Sequence, residues 1–210
     1  MEPPPFPVHL ELPGWELFWA RLEAVPGTEE ARVALRRRSA ERVRAALDLE
    51  TLSSHPTVAA LRKLFKAAGC DPSRYRPSSE ALLRRVLKGE ELPAIHPLVD
   101  LNNCLSIELA VPSCIVAEGS FTPPLTLRSG REGEAFDSLR GPFNLEGKPL
   151  LADAEGPFGT PITDSQRVKV RDETRGAWLV AYLPQGVVRP EEVEKTLASL
   201  LGEAPIASVS

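Results

Sequence analysis

Three side chains able to hold a polar ligand, Asp100, Asn102 and Asn103, stand together in the segment LPAIHPLVDLNNCLSIELAVP, among the apolar residues Leu101, Cys104, Leu105, Ile107 and Leu109. A carboxylate beside two carboxamides both accepts and donates hydrogen bonds, so the group could orient a substrate or a water. The same residues could serve the chain itself, Asp100 as a helix cap and the asparagines by bonding nearby backbone groups. Spacing leaves both readings open. A second concentration of charge, Arg32, Arg36, Arg37, Arg38, Arg42 and Arg44 with only Glu41 as an acid among them, would give a helix a positive face suited to phosphate, or simply a solvated one. Trp15, Phe18 and Trp19 crowd one short stretch and read either as a stacking platform for bases or as a clip holding the N-terminal arm to the domain.

Several standard chemistries are missing. The chain has no GxSxG elbow, no phosphate-binding loop of the GxxxxGK type and no GxGxxG. Cys70, Cys104 and Cys114 form no CxxC pair, and His9, His55 and His96 fall at no zinc spacing, so reduced thiols and neither metal nor organic cofactor are expected.

The elements that must position these residues are legible in outline. The 210 residues are 42% hydrophobic and 26% charged, a globular composition with room for one large domain or two small ones. A net charge of -4 argues against a protein that coats nucleic acid by charge alone, although local basic patches are left open. No run approaches the roughly 18 to 20 apolar residues of a membrane span, and the start MEPPPFPVHLELPGW is unlike a secretory signal, so a cytoplasmic protein is expected. The first third reads as helical. Pro26, Gly27 and Thr28 offer a break and a cap before a helix over about Glu29 to Leu49. Apolar periodicity predicts further helices from Thr57 to Gly69 and from Ser78 or Ser79 to Gly89, another ending at Pro112, and a last one from Pro190. From about Ile115 short β-prone runs alternate with turns. Helices first and strands second, without βα alternation, point to an α+β layered fold rather than a parallel doubly wound sheet.

The segment around Asp100 resembles a stretch of the phenylalanyl-tRNA synthetase beta subunit in which an Asp-x-x-Asn pair opens a helix ending in Glu-Leu-x-x-Pro. Asp100, Asn103, Glu108, Leu109 and Pro112 match it without a gap. Arg131, Gly133 and Glu134 resemble that family's next block, and Asp153, Gly156 and Pro157 its Asp-x-x-Gly-Pro turn. The likeness covers about residues 76 to 185 and is close to free-standing proteins that carry the synthetase's editing module, its B-three/B-four domains. It implies a three-layer β/β/α domain over residues 76–210, with residues 1–75 as an N-terminal helical extension, and a pocket between sheet and helix. In the synthetase that pocket hydrolyses tyrosine wrongly attached to phenylalanine tRNA.

Carried over by position, Asn103 is the family's pocket asparagine, Cys114 stands where a histidine is expected, Thr160 and Pro161 replace an Ala-Gly pair, and Val180 replaces the glutamate that reads the tyrosine hydroxyl. A site built to bond a hydroxyl discriminates about 10⁴-fold, an apolar one only about 10 to 200-fold, so the synthetase's own selectivity is not expected here. The loop FGTPITDSQRVKV resembles that of the free-standing members. Its Thr160, Thr163, Asp164, Ser165 and Arg167 form either a replacement set of polar groups, with Arg167 able to grip a carboxylate or phosphate, or a backbone turn. The resemblance thus implies Asn103, Thr160 and Cys114 as candidate catalytic groups and Asp100, Glu134, Thr163, Asp164, Ser165, Arg167 and Val180 as substrate-binding, while the basic run outside it offers Arg36, Arg37, Arg38 and Arg42 as RNA-binding. Cys114 also reads as a buried inert thiol. The expected partner is tRNA or aminoacyl-tRNA, bound and deacylated in trans, with no DNA or membrane partner. The alternative is a non-catalytic pocket for a free amino acid or related metabolite.

Overall fold

A computed structural model describes residues 4–25 and 28–209. Pro26 and Gly27, read above as the break before the first helix, lie outside the described residues. Thr28 does cap that helix, its side chain accepting the Ala31 N–H at 3.2 Å, and Glu29 and Glu30 follow in the first turn where the helix dipole favours acid.

The fold is α+β and three layers deep. One outer layer is a four-stranded sheet in the order β1 (Val8–Leu10), β4 (Leu125–Ser129), β7 (Pro149–Asp153), β8 (Gly156–Gly159). The middle layer is a second four-stranded sheet in the order β10 (Ala207–Val209), β2 (Trp15–Ala24), β9 (Gly176–Pro184), β3 (Ser113–Ala117), all antiparallel. Helices α1 (Glu29–Ala46), α3 (Ser78–Leu87), α4 (Pro97–Leu109) and α5 (Pro190–Glu203) cover its far face. A hairpin, β5 (Ala135–Ser138) with β6 (Gly141–Asn144), projects from the first sheet.

The two-residue period of the middle strands divides the core. Phe18, Ala20 and Leu22 of β2 and Leu179, Ala181 and Leu183 of β9 join the helical side, while Trp15, Trp19, Val180 and Tyr182 join the cluster between the sheets. Where β2 is covered on both faces, Leu17, Phe18, Trp19 and Ala20 run on as consecutive apolar residues, and polar alternation appears only further along, where Arg21 and Glu23 flank Leu22. This corrects two expectations. Residues 1–75 are not a helical extension, because β2 is an inner strand paired to β9 from Trp15–Pro184 to Glu23–Gly176. The Trp15, Phe18, Trp19 stretch is a core strand rather than a clip or an open platform, all three being buried. Helix α2 (Pro56–Ala68) plugs the space between the sheets with Leu61 and Phe65, and Gly69, at φ +99°, ends it in the left-handed region that favours glycine.

Helix α4 is the hub of the helical layer, touching α1, α3, α5 and β3. It begins three residues before Asp100. His96 is its cap, the Nδ1 accepting the Leu98 N–H at 3.3 Å, and Pro97 fills the first turn where no N–H is needed. It stops at Leu109, before Pro112, with Ala110 in left-handed geometry at φ 56°. Among the described residues no helix is long and apolar enough to cross a membrane.

Candidate functional site

The turn from α4 into β3 lays the middle of the helix beside the start of the strand. Ser106 Oγ donates to Val111 O at 2.7 Å and the Val111 N–H returns to Ser106 O, closing the reversal. Asn102 Nδ2 then donates to Ser113 O at 3.2 Å, fixing helix to strand. The third wall is the loop after β8. Thr160 Oγ1 donates to Thr163 O at 2.7 Å and accepts from the N–H groups of Ile162 and Thr163, while the Ser165 N–H bonds Phe158 O at 2.8 Å. These bonds fold the loop into a tight turn that presents Asp164 and Ser165 toward Asn103 and Cys114.

Between the walls lies a cavity of about 190 Å³, lined at its back by Asn102, Asn103, Cys114 and Asp164. Ser78, Ser113 and Ser165 add hydroxyls, and Lys169 a cation. Ile95 and Leu139 stand at it with 56% and 55% of their surfaces exposed, giving it an apolar rim where soluble proteins usually place polar groups.

The asparagines differ in their bonding. Asn103 is buried to 8% exposure, yet no hydrogen bond of its side chain is found among the described residues. Asn102 spends its amide on Ser113 and leaves Oδ1 sealed without a partner. Asp164 likewise has a sealed, unpartnered Oδ1, although part of the residue meets solvent. A side chain on Gly159 would bring Cβ within 3.2 Å of this oxygen and 3.3 Å of the Tyr182 hydroxyl, so glycine is what lets the two close in. Burial pushes the Asp164 carboxyl up to about 7, the Cys114 thiol and the Thr160 N–H offsetting it only partly. The Cys114 thiol, 3.8 Å from the Tyr182 hydroxyl, is pushed well above its ordinary range by burial and by Asp164. A thiol so disfavoured as thiolate is not a nucleophile at neutral pH.

The remaining expected site residues lie elsewhere. Asp100 faces away from the cavity, fully buried, and takes Arg32 (2.8 Å) and Arg36 on one oxygen and the Ile95 N–H (3.0 Å) on the other, tying α1 to α4 and holding the rim. Arg167 grips Asp153 with two bonds of 2.9 and 3.0 Å and donates to the carbonyls of Ser120 and Gly156. Its two-toothed grip is real, but the carboxylate is internal. Burial opposes the Asp153 charge, yet Arg167 and the N–H groups of Thr122 and Glu155 outweigh it and hold that carboxyl low. Thr160 is consumed by its own turn and Thr163 supplies it a carbonyl. Glu134 pairs with Arg128 at 2.7 Å and accepts the Arg131 N–H. Val180 sits opposite Cys114 in the sheet and contributes to the core between the sheets.

The arginines of α1 are mostly spent within the protein. Arg36 is buried on Asp100, Arg38 bonds Glu203 at 3.0 Å, and Arg42 bonds Glu108 at 2.6 Å and Glu203 at 3.1 Å. Arg37 is the most exposed of the four, paired among the described residues only with Glu41 one turn on. Lys169, by contrast, has no ion pair among the described residues. Asn102, singled out in the sequence with Asp100 and Asn103, does line the cavity, whereas sequence reasoning passed over Ser113, Ile95, Leu139 and Lys169 as site residues. Lys169 lies in the quoted loop, whereas nothing local marks Ile95 or Leu139.

Among the described residues no group of three or more His, Cys, Asp or Glu could hold a metal ion. A crystal structure of an N-terminal fragment of the phenylalanyl-tRNA synthetase beta subunit from Pyrococcus horikoshii is similar at 15% identity and a TM-score of 0.46, the likeness covering 97% of this chain and 50% of that one. The chain therefore spans half the length of that fragment. No curated protein matches it. The sequence profile of the B3/4 domain matches residues 60–199, which takes in the cavity's walls from α3 to the 164–170 loop and more than half of the protein, and the chain belongs to the B3/4 domain family.

Proposed function

We propose that the protein recognises the aminoacyl end of a tRNA in the cytoplasm, with the amino-acid part in the cavity and the RNA beyond its rim. The observation that carries this reading is the convergence of Asn103 and Cys114 with Asp164 and Ser165 on one cavity of about 190 Å³ in a B3/4 domain. That space is smaller than the roughly 300 to 1,000 Å³ of pockets for drug-sized ligands and suits a single amino-acid side. Lys169, exposed and without an ion pair among the described residues, supplies a cation for a phosphate or carboxylate beside the rim.

Deacylation is the second half of the proposal. An aminoacyl ester is already activated, so a held water and a donor for the developing oxyanion suffice. Asn103, buried with an uncommitted amide, fits the positioning role. Neither Cys114, held as a neutral thiol, nor Thr160, occupied on both sides of its hydroxyl, suits attack on the ester. A free amino acid as the occupant is the second reading, favoured by the internal pairing of Arg36, Arg38 and Arg42, which leaves little of α1 for an RNA backbone.

The test is a panel of aminoacyl-tRNAs incubated with the protein and with Asn103→Ala, scoring ester loss and binding in parallel. Faster ester loss that Asn103→Ala abolishes supports deacylation, and binding without ester loss supports recognition alone. Binding of free amino acids with no preference for their tRNA esters supports the second reading.

A further inference from the structure

We propose that Asp164 is the specificity residue of this cavity, receiving a primary ammonium group on the occupant, so that the site takes unblocked amino acids or their esters and rejects their desamino and N-acylated counterparts. The inference rests on the reading of the cavity as an amino-acid pocket and names the part of the ligand that is read. Its basis is an imbalance of hydrogen-bonding groups. Asn102 donates one N–H to Ser113 and holds an unpartnered acceptor, Oδ1. Asp164 presents a second such acceptor, its Oδ1, sealed and unpartnered, while the carboxyl otherwise meets only the Cys114 thiol and the Thr160 N–H. Asn103 adds a free carbonyl beside its amide. Two sealed oxygens, Asn102 Oδ1 and Asp164 Oδ1, thus lack a donor, and Asp164 lacks a countercharge; a group with three N–H donors and a positive charge is the complement.

Charge points the same way. The groups facing Asp164 are Cys114 from β3 and Tyr182 from β9, both neutral, with Lys169 on its own loop. No cation among the described residues pairs with Asp164, although a buried carboxylate is stable only when paired or hydrogen-bonded. An entering ammonium supplies that countercharge. Arg167, three residues on, shows the contrast, since it is locked on Asp153 and gives Asp164 no countercharge.

The experiment uses the full chain and nuclear magnetic resonance titration at pH 7 with the amides of alanine, valine and phenylalanine. Each is run beside its desamino counterpart, propionamide for alanine, and its N-acetyl form, following the backbone signals of Cys114 and Ser165. The expected result is at least tenfold tighter binding of the free amines. Asp164→Asn, isosteric and checked for its fold by a thermal melt, is expected to shrink that preference to within about twofold. Should that variant fail to fold, calorimetry of the unaltered protein at pH 6 in two buffers of different ionisation enthalpy replaces it. Release of a proton on amine binding is then expected, because the ammonium favours the ionised carboxylate. Equal binding of desamino probes, a preference that survives Asp164→Asn, or no proton release each overturns the assignment. If desamino probes still shift Cys114 and Ser165, the cavity reading stands without it, whereas probes that shift neither signal overturn both.

Discussion

Asp100 and Asn103 are one turn apart on α4 and are treated in opposite ways by the fold. Asp100 is surrounded by partners, with Arg32, Arg36 and the Ile95 N–H on its two oxygens and none of its surface exposed. Asn103 is almost as deeply buried and has no partner within the protein among the described residues. Satisfied buried groups hold a structure together, whereas an unsatisfied one costs stability and persists where a ligand completes it. The same contrast separates Arg167 from Asp164 Oδ1 in the loop after β8. In each pair the residue with the stronger charge-pairing potential is tied into the fold, and its neighbour keeps polar atoms without a partner among the described residues.

The sharpest way to break this comparison is Asp100→Ala. It would strand Arg36 in a buried site and release the rim at Ile95. Removing one partner of a buried ion pair costs about 3 to 5 kcal/mol, so urea unfolding is expected to show a loss of that order. A loss below about 1 kcal/mol would mean that the pair is not structural.

Asp164→Asn should act in the opposite direction. The carboxyl of an unfolded chain titrates near 3.8 and that of folded Asp164 near 7. Between these values the folded state keeps a proton that the unfolded state has lost, so this residue's contribution to stability falls as pH rises through the window and levels off above it. The variant is therefore expected to match the unaltered protein near pH 4 and to exceed it at pH 8 by on the order of 2 kcal/mol, measured by denaturant unfolding at both. Carboxylates held low by arginine, such as Asp153 and Glu80, act oppositely on acidification, and the difference between variant and parent cancels them.

How much of this was legible follows from where the partners lie in the sequence. The helices of α2, α3 and α5 were readable because their apolar periodicity and their Pro and Gly boundaries are local. The layered α+β class and the Asn103 wall were readable too. The fate of the α1 arginines was not, because the acids that consume them, Asp100, Glu108 and Glu203, are supplied from 64 to 165 residues away. Counting charge between residues 32 and 44 saw cations without their partners. Strand β2 was missed because the apolar run Leu17 to Ala20, covered on both faces, interrupts an alternation that is left only at Arg21 to Ala24. Arg167 had the right chemistry and the wrong address: its carboxylate is Asp153, two elements upstream across β8.

Asn103→Ala sharpens the comparison from the other side. The amide bonds nothing within the protein, so its removal is expected to change unfolding stability by less than about 0.5 kcal/mol. Its effect belongs to ligand binding, where losing one hydrogen bond in a desolvated site costs about 1 to 2 kcal/mol, a weakening of roughly five- to thirtyfold. The two readouts, taken on one preparation, separate a ligand group from a structural one. A large stability loss would place Asn103 beside Asp100 as a structural group.

The smallest effect is expected at Arg37, whose side chain is 77% exposed and pairs only with Glu41 across one turn. Such surface pairs contribute a few tenths of a kcal/mol, so Arg37→Ala should leave folding untouched. If α1 touches a tRNA backbone at all, Arg37 is the one of its four expected phosphate ligands with its charge directed to solvent. Removing it should then reduce the slope of log affinity against log salt by about one. Arg38→Ala provides the comparison: because that guanidinium is spent on Glu203, the variant should lose stability and leave the salt slope nearly unchanged. A steep slope that survives Arg37→Ala would instead locate the RNA contact at the cavity's mouth, where Lys169 is the unpaired cation, and Lys169→Ala would then be the variant that lowers it.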